Sequence, residues 1–325
     1  GGHMTAAKKS TAGRKKAARP REKRNWGRLW SNIRKNWLLY LFLLPMAVYL
    51  IIFNYAPLYG IQIAFKDFRG ALGIWGSPWV GFKHFESFFN SYQFKDLLYN
   101  TLTLSFYQLV ATIPMPVILA LLLNYTTVPW LKKLTQSSTF APHLISVVVM
   151  CGMLNTFSSS TGLFNILLKQ FGLEPISFLG IPGLYQTMYV MSGVWQRTGY
   201  NAVIYIAALS SVSEDLHEAA IVDGASKLKR VWYIDIPSIL PTMVILIIMA
   251  VGNLMSIGFE KSLLLQNDLN LARSEIISTY VYKVGIQGAQ YSLSTAVSLF
   301  NNIINFILLI SVNKASKALS GSSLW

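Results

Sequence analysis

The sequence is short of charge, and of acid most of all. Charged residues fill 13% of its 325 positions, against about 25% in an average soluble domain. Asp and Glu together number only 13. So little charge beside 53% hydrophobic residues excludes an intrinsically disordered chain and argues against a water-facing globule. A single cysteine, Cys151, excludes a disulfide framework and a cysteine-rich zinc site. The four histidines (His3, His84, His143, His217) pair with no cysteine or carboxylate at metal-binding spacing. No G-x-x-x-x-G-K-S/T run is present to cradle a nucleotide phosphate, no G-x-G-x-x-G follows a strand, and no G-x-S-x-G elbow presents a serine. Carboxylates are also missing from the centres of the apolar runs, where proton-coupled pumps usually need them. These absences exclude a nucleotide-hydrolysing enzyme, a serine hydrolase and a proton-driven carrier. If the chain moves a solute uphill, the energy arrives from another subunit, so no cofactor is expected in this chain.

What is present is apolar length and an uneven basic excess. The net charge is +15, and residues 8–35 alone hold twelve of the 28 Lys and Arg. Gly1-Gly2-His3-Met4 reads as a cleavage scar, residues 1–4. Residues 5–24 form a basic tail that cannot bury enough surface to offset chain entropy, and are expected to be disordered. Residues 25–36 are expected to form an interfacial amphipathic helix. Trp26, Trp30, Ile33 and the following Trp37 fall on one face, with Arg28, Arg34 and Lys35 on the others. Its partner is membrane lipid rather than nucleic acid, because the bilayer is already the adjacent anion.

A hydrocarbon core about 30 Å thick needs roughly 20 mostly apolar helical residues. Six stretches qualify: 37–59, 97–123, 140–157, 184–209, 239–259 and 296–312, the last beginning a few residues earlier. The expected fold is therefore an all-α polytopic membrane protein, with a membrane domain over 37–313 and a tail over 314–325. Pro45, Pro114 and Pro116 predict kinks. With the N-terminus in the cytoplasm, the inner segments carry nineteen basic residues and the outer segments eight. Both termini are thus expected inside, and the first span is expected to direct its own insertion. The outer connections 82–94 and 163–171 are aromatic or apolar, suited to the outer membrane face or a partner.

The longest inner loop, 211–237, is patterned. Ser211 and Glu214 fit a capping box, Ala219, Ala220 and Val222 make a small smooth face, and Gly224 permits a left-handed turn. A second helical stretch runs through Leu228, Val231 and Trp232, closed by Pro237 and Pro241. Such a helix suits a groove on another protein; the plain alternative is a linker between spans. Glu218-Ala219-Ala220, then Asp223-Gly224-Ala225, then Ile234-x-x-Pro237 and Pro241 resemble the EAA loop of bacterial ABC-importer permeases. Trp79-Val-Gly-Phe-Lys-His-Phe85 is similar to an outer-loop segment of carbohydrate-importer permeases. The basic N-terminus and the ending Gly321-Ser-Ser-Leu-Trp325 resemble the branch that handles oligosaccharides and glycan fragments. Ser213 departs from the pattern, since many relatives have proline there.

The resemblance implies a type I ABC-importer transmembrane domain in the bacterial cytoplasmic (inner) membrane, working as a heterodimer with a second homologous permease subunit. It implies two ATPase subunits that bind ATP and Mg, and an extracytoplasmic solute-binding protein. Glu218, Ala219, Ala220, Asp223 and Gly224 would dock the coupling helix onto an ATPase. By spacing from maltose-type permeases, Trp195, Gln196, Arg197 and Tyr200 would line the sugar pathway. Asn253, Ser256, Asn301, Asn302 and Asn305 are further candidates, the alternative being polar bonds between helices. A charge near mid-bilayer costs at least ~2.5 kcal/mol on insertion scales, so Arg197 should face a wet cavity or a paired acid. Because guanidinium meets carboxylate bidentately, it tilts the expected cargo toward uronate-bearing oligosaccharides such as alginate or pectin fragments, with neutral oligosaccharides the alternative. Cys151 and His143 read as packing residues.

Overall fold

A computed structural model of the chain describes residues 34–321 and 323–324. The scar, the basic tail and nearly all of the interfacial helix expected from the sequence lie outside these residues. Among the described residues the regular elements are helices, and strand pairing is limited to one antiparallel bridge between Lys66 and Trp79. The chain divides into two units, one ending at Tyr59 and the other beginning at Gly60.

In the first unit, α1 (Trp37–Leu50) passes into a π turn at Ile51–Tyr55. Pro45 sits inside α1 without ending it; the hydrogen-bond ladder shifts at the π turn instead. No α1 side chain is buried. The apolar helix running on to Phe65 counts 29 residues, more than the roughly 20 a bilayer needs.

In the second unit, α2 (Lys83–Phe89) buries Phe85 and Phe88. Helices α3 (Phe94–Thr112) and α4 (Pro114–Asn124) make one span interrupted at Ile113. Pro114 and Pro116 cannot donate to the ladder there, so the expected kink falls where the prolines put it. The third span departs from expectation. Instead of one helix over 140–157, α5 (Pro129–Phe140) ends in a 3-10 turn, the backbone extends at Ile145 and Ser146, and α6 (Val147–Ser158) starts afresh. Pro142 breaks the ladder, and the Ser146 hydroxyl caps α6 by accepting from the Val149 N–H at 3.3 Å. After α7 (Leu163–Gln170) comes α8 (Pro182–Leu209), the 28-residue helix at the centre of this unit.

Among the described residues five stretches are long and apolar enough to cross a bilayer, and α8 is not among them. The reason is its position. Helices α3, α4 and α5 all pack against it, eleven of its residues are buried, and it therefore needs no apolar surface all round. Tyr185, Tyr189, Val190 and Val194 form the main core with Leu104, Cys151, Ile257 and Ile276, which fits the packing role expected of Cys151. At Gly199 a Cβ would collide with the Thr139 carbonyl, so the glycine sets how closely α5 and α8 cross.

Beyond α8 lie α9 (Glu214–Val222), α10 (Lys227–Arg230), a π turn at Val231–Asp235 and α11 (Ile236–Gly252). The fifth span was expected to reach residue 259; α11 stops at Gly252 and a 3-10 turn follows at Leu254–Ser256. Short helices α12 (Phe259–Leu265) and α13 (Ile277–Tyr282) lead to α14 (Tyr291–Ser320). The last helix begins earlier than 296, as expected, and runs past 312 into the segment read as a tail.

Candidate functional site

Residues 253–258 are irregular backbone following an apolar helix, and irregular backbone at membrane depth must find its hydrogen bonds within the protein. It does. The Met255 N–H donates to Asn305 Oδ1 at 2.9 Å, and Asn301 Nδ2 donates to the Met255 carbonyl at 3.1 Å. Asn305 Nδ2 donates to Ser256 Oγ at 2.8 Å, and the Ser105 hydroxyl donates to the Leu254 carbonyl at 2.5 Å. Asn301 and Asn305 are thus splints for the break rather than cavity walls, and Asn302 lies on the exposed face of α14.

The break opens a cavity of about 450 Å³, lined among others by Gln108, Arg197, Asn201, Asn253, Ser256 and Gly258. Of the sequence-based pathway candidates, Arg197, Asn253 and Ser256 come together here. Trp195, Gln196 and Tyr200 do not line it. Gln196 is buried, and its Nε2 donates to the Ile145 carbonyl at 2.7 Å, satisfying the break between α5 and α6. Tyr200 stacks on His143 with ring centroids 3.9 Å apart. Trp195 is half exposed on another side of α8. The helical periodicity explains the split: of the four candidates only Arg197 shares a helix face with Asn201, one turn on.

Arg197 has no hydrogen bond or ion pair to any described residue. Lys261, on α12 and close to Gly258, adds a second cation that sequence reasoning missed. It is 8% exposed, donates to the Tyr189 carbonyl at 2.5 Å and stands 4.5 Å from the Tyr189 ring centroid. Arg197 and Lys261 repel one another, and no carboxylate of a described residue pairs with either. The signal that could have found Lys261 is its place within an apolar, helix-forming stretch, Phe259–Leu265, with only Glu260 beside it.

The second region is the inner loop. The cap of α9 is Ser213, not Ser211: its hydroxyl accepts from the Asp215 N–H at 3.3 Å, whereas the Ser211 hydroxyl donates back to the Ala208 carbonyl. Serine thus fills the position where many relatives carry proline, and does so as a cap. Gly224 takes φ +76°, and the Ala225 N–H closes on the Ala220 carbonyl at 2.8 Å, a left-handed helix stop. Helix α9 buries no residue, and Leu216, Ile221 and Val222 stand exposed with Glu218, Ala219 and Asp223. This leaves an apolar, small-residue surface uncovered on α9.

Broken membrane helices around a polar cavity, and an exposed glycine-stopped helix between two spans, define a transport subunit. Residues 93–317 match the family model for the binding-protein-dependent transport system inner membrane component, and the chain belongs to that family. It is an ABC-importer permease with the type I transmembrane fold, a multi-pass protein of the bacterial inner membrane. Among its relatives, the polygalacturonan/rhamnogalacturonan transport system permease protein YteP of Bacillus subtilis is 39% identical over 86% of this chain and 87% of its own. Protein LplB of the same organism is 40% identical over 87% and 89%. A crystal structure of a bacterial alginate ABC transporter, in complex with its alginate pentasaccharide-bound periplasmic protein, contains a chain that superposes with a TM-score of 0.85 at 36% identity, covering 91% of this chain and all of that one.

Proposed function

We propose that this chain is one of two homologous permease subunits that together form the pathway for ATP-driven uptake of acidic, uronate-bearing oligosaccharides. Six spans would carry it: α1, α3 with α4, α5 with α6, α8, α11 and α14, both termini lying in the cytoplasm. An extracytoplasmic solute-binding protein delivers the glycan. Two ATPase subunits bind ATP and Mg and drive the cycle through the coupling loop 211–237, docked by Glu218, Ala219, Ala220, Asp223 and Gly224.

One observation carries the acidic reading. Arg197 faces a polar cavity and pairs with no carboxylate among the described residues, and a second basic side chain, Lys261, is buried close by against the Tyr189 carbonyl. A guanidinium lining a cavity without an acid beside it can meet a carboxylate bidentately, and the cargo brings one. The amides of Gln108, Asn201 and Asn253 beside Arg197 suit sugar hydroxyls. The relatives support the same direction, since the name of one and the crystal structure of another concern uronate polymers.

The test is reconstitution of the complete importer in proteoliposomes, offered trigalacturonate, a rhamnogalacturonan tetrasaccharide, an alginate trisaccharide and neutral maltotriose. The expected result is ATP-dependent uptake of at least one acidic glycan and little uptake of maltotriose. Maltotriose uptake equal to or above that of all three acidic glycans refutes the reading.

A further inference from the structure

Asp235 is the acid that the apolar sequence around it does not explain. It stands in Trp-Tyr-Ile-Asp-Ile-Pro, at the foot of α11, and is 0% exposed. A buried carboxylate is costly unless its oxygens are engaged, and the π turn Val231–Asp235 inserts the extra residue that aims it inward. Its Oδ2 accepts from the Tyr125 hydroxyl at 2.7 Å, from the loop after α4. Its Oδ1 lies 3.3 Å from Nε2 of His217, the fourth residue of α9, within ion-pair reach when the imidazole is protonated. That oxygen has no aligned hydrogen bond, so the contact is slack and a small shift of α9 would tighten or break it. The Tyr125 and His217 rings meet edge to face with centroids 6.4 Å apart, and the Arg230 guanidinium sits 5.6 Å from the Tyr125 ring centroid. Burial first, and Asp235 second, raise the Tyr125 hydroxyl to about 12, so it stays a donor. A polar cavity of about 530 Å³, lined by Tyr125, Ser210, Glu214, His217, Lys227 and Arg230, leaves room around the contact.

We propose that Asp235 is a positioning residue that clasps the coupling helix, through His217, to the roots of α11 and α4, and so transmits the displacement of α9 to the membrane helices. The inference rests on the reading of α9 as an ATPase-docked lever. A loop joined to its spans only by chain would absorb part of any push in bond rotations. A carboxylate shared between α9, α11 and the end of α4 makes the three move together once a shift of α9 tightens the His217 contact.

The experiment compares Asp235→Asn, His217→Gln, their double variant and Gly224→Val in the reconstituted importer, with the glycan panel above as cargo and sugar-free ATP hydrolysis measured in the same vesicles. Asp235→Asn keeps the shape and a Tyr125 partner while removing the charge. The expected result is a fivefold or greater fall in glycan taken up per ATP for each single variant, from raised sugar-free hydrolysis, with the double variant within twofold of the singles. A ratio within twofold of wild type for His217→Gln, or single effects that multiply in the double, overturns the clasp. His217 lies on the exposed helix, so its variant decides the matter even where Asp235→Asn does not assemble. If Gly224→Val also leaves the ratio unchanged, the lever reading fails; if it alone uncouples, only the clasp does.

Discussion

Replacing Arg197 by glutamine keeps a planar hydrogen-bonding group of nearly the same reach but removes the charge. Arg197 lines the 450 Å³ cavity with Asn201, Asn253 and Ser256, and no carboxylate among the described residues competes for its guanidinium. A hydrogen bond to a charged group contributes about 1.5–3 kcal/mol, against about 0.5–1.5 for a neutral one. For a cargo carboxylate the loss then corresponds to about a 10- to 150-fold rise in KM, or an equivalent fall in kcat/KM. A neutral sugar that used Arg197 only through hydroxyls would lose about 10-fold or less, because the glutamine amide replaces most of such a bond. The assay is uptake of labelled trigalacturonate by proteoliposomes, with the most readily transported neutral glycan as control and ATP hydrolysis followed alongside. The acidic-to-neutral preference should fall by about an order of magnitude. Equal loss on both cargoes, with the complex assembled, refutes the argument and leaves Arg197 a structural role, such as pairing with a carboxylate of the second permease.

Other expectations follow from single contacts. Lys261→Met keeps the aliphatic stem against the Tyr189 ring while deleting the charge; it should weaken acidic-glycan uptake and spare neutral uptake, measured as above. Gly224→Val forces a β-branched residue to φ +76°, costing roughly 1–2 kcal/mol; membrane insertion should persist while uptake per ATP falls. Asn305→Leu strips the partner from the buried Met255 N–H and should destabilise by about 1–3 kcal/mol, read as a lower melting temperature of the detergent-purified complex. Gly199→Leu drives a side chain into the Thr139 carbonyl and should abolish recovery of the folded complex.

The parts legible in the sequence were those written in local patterns. Long apolar runs announced the spans, and the spacing from Glu218 to Pro241 announced the loop that ends α9 at Gly224. Boundaries were harder inside apolar runs, at the Pro142 break in the third span and where α11 stops in the fifth. Gly252 and Asn253 are a weak stop signal within a long apolar run, and the amides that hold the break, Asn301 and Asn305, come from α14 some fifty positions away. The same distance hid the roles of those asparagines, which sequence reading placed in the pathway. Gln196 was misplaced for a related reason: adjacent to Arg197 in the chain, it lies about 100° round the helix and serves the carbonyl freed at Ile145. Ser211 and Ser213 were confused because both precede acidic residues, and only the backbone decides which hydroxyl meets an N–H. Lys261 and Asp235 carried a weaker signal, a lone charge inside an apolar context, whose meaning needed the tertiary neighbours.

The decisive measurement is uptake by the reconstituted importer with and without its ATPase subunits, using trigalacturonate and maltotriose as paired cargoes and ATP present throughout. Accumulation of the acidic sugar that vanishes when the ATPases are omitted, with maltotriose excluded, is the result expected. Accumulation by the permeases alone, or indifference to the carboxylates, would contradict it.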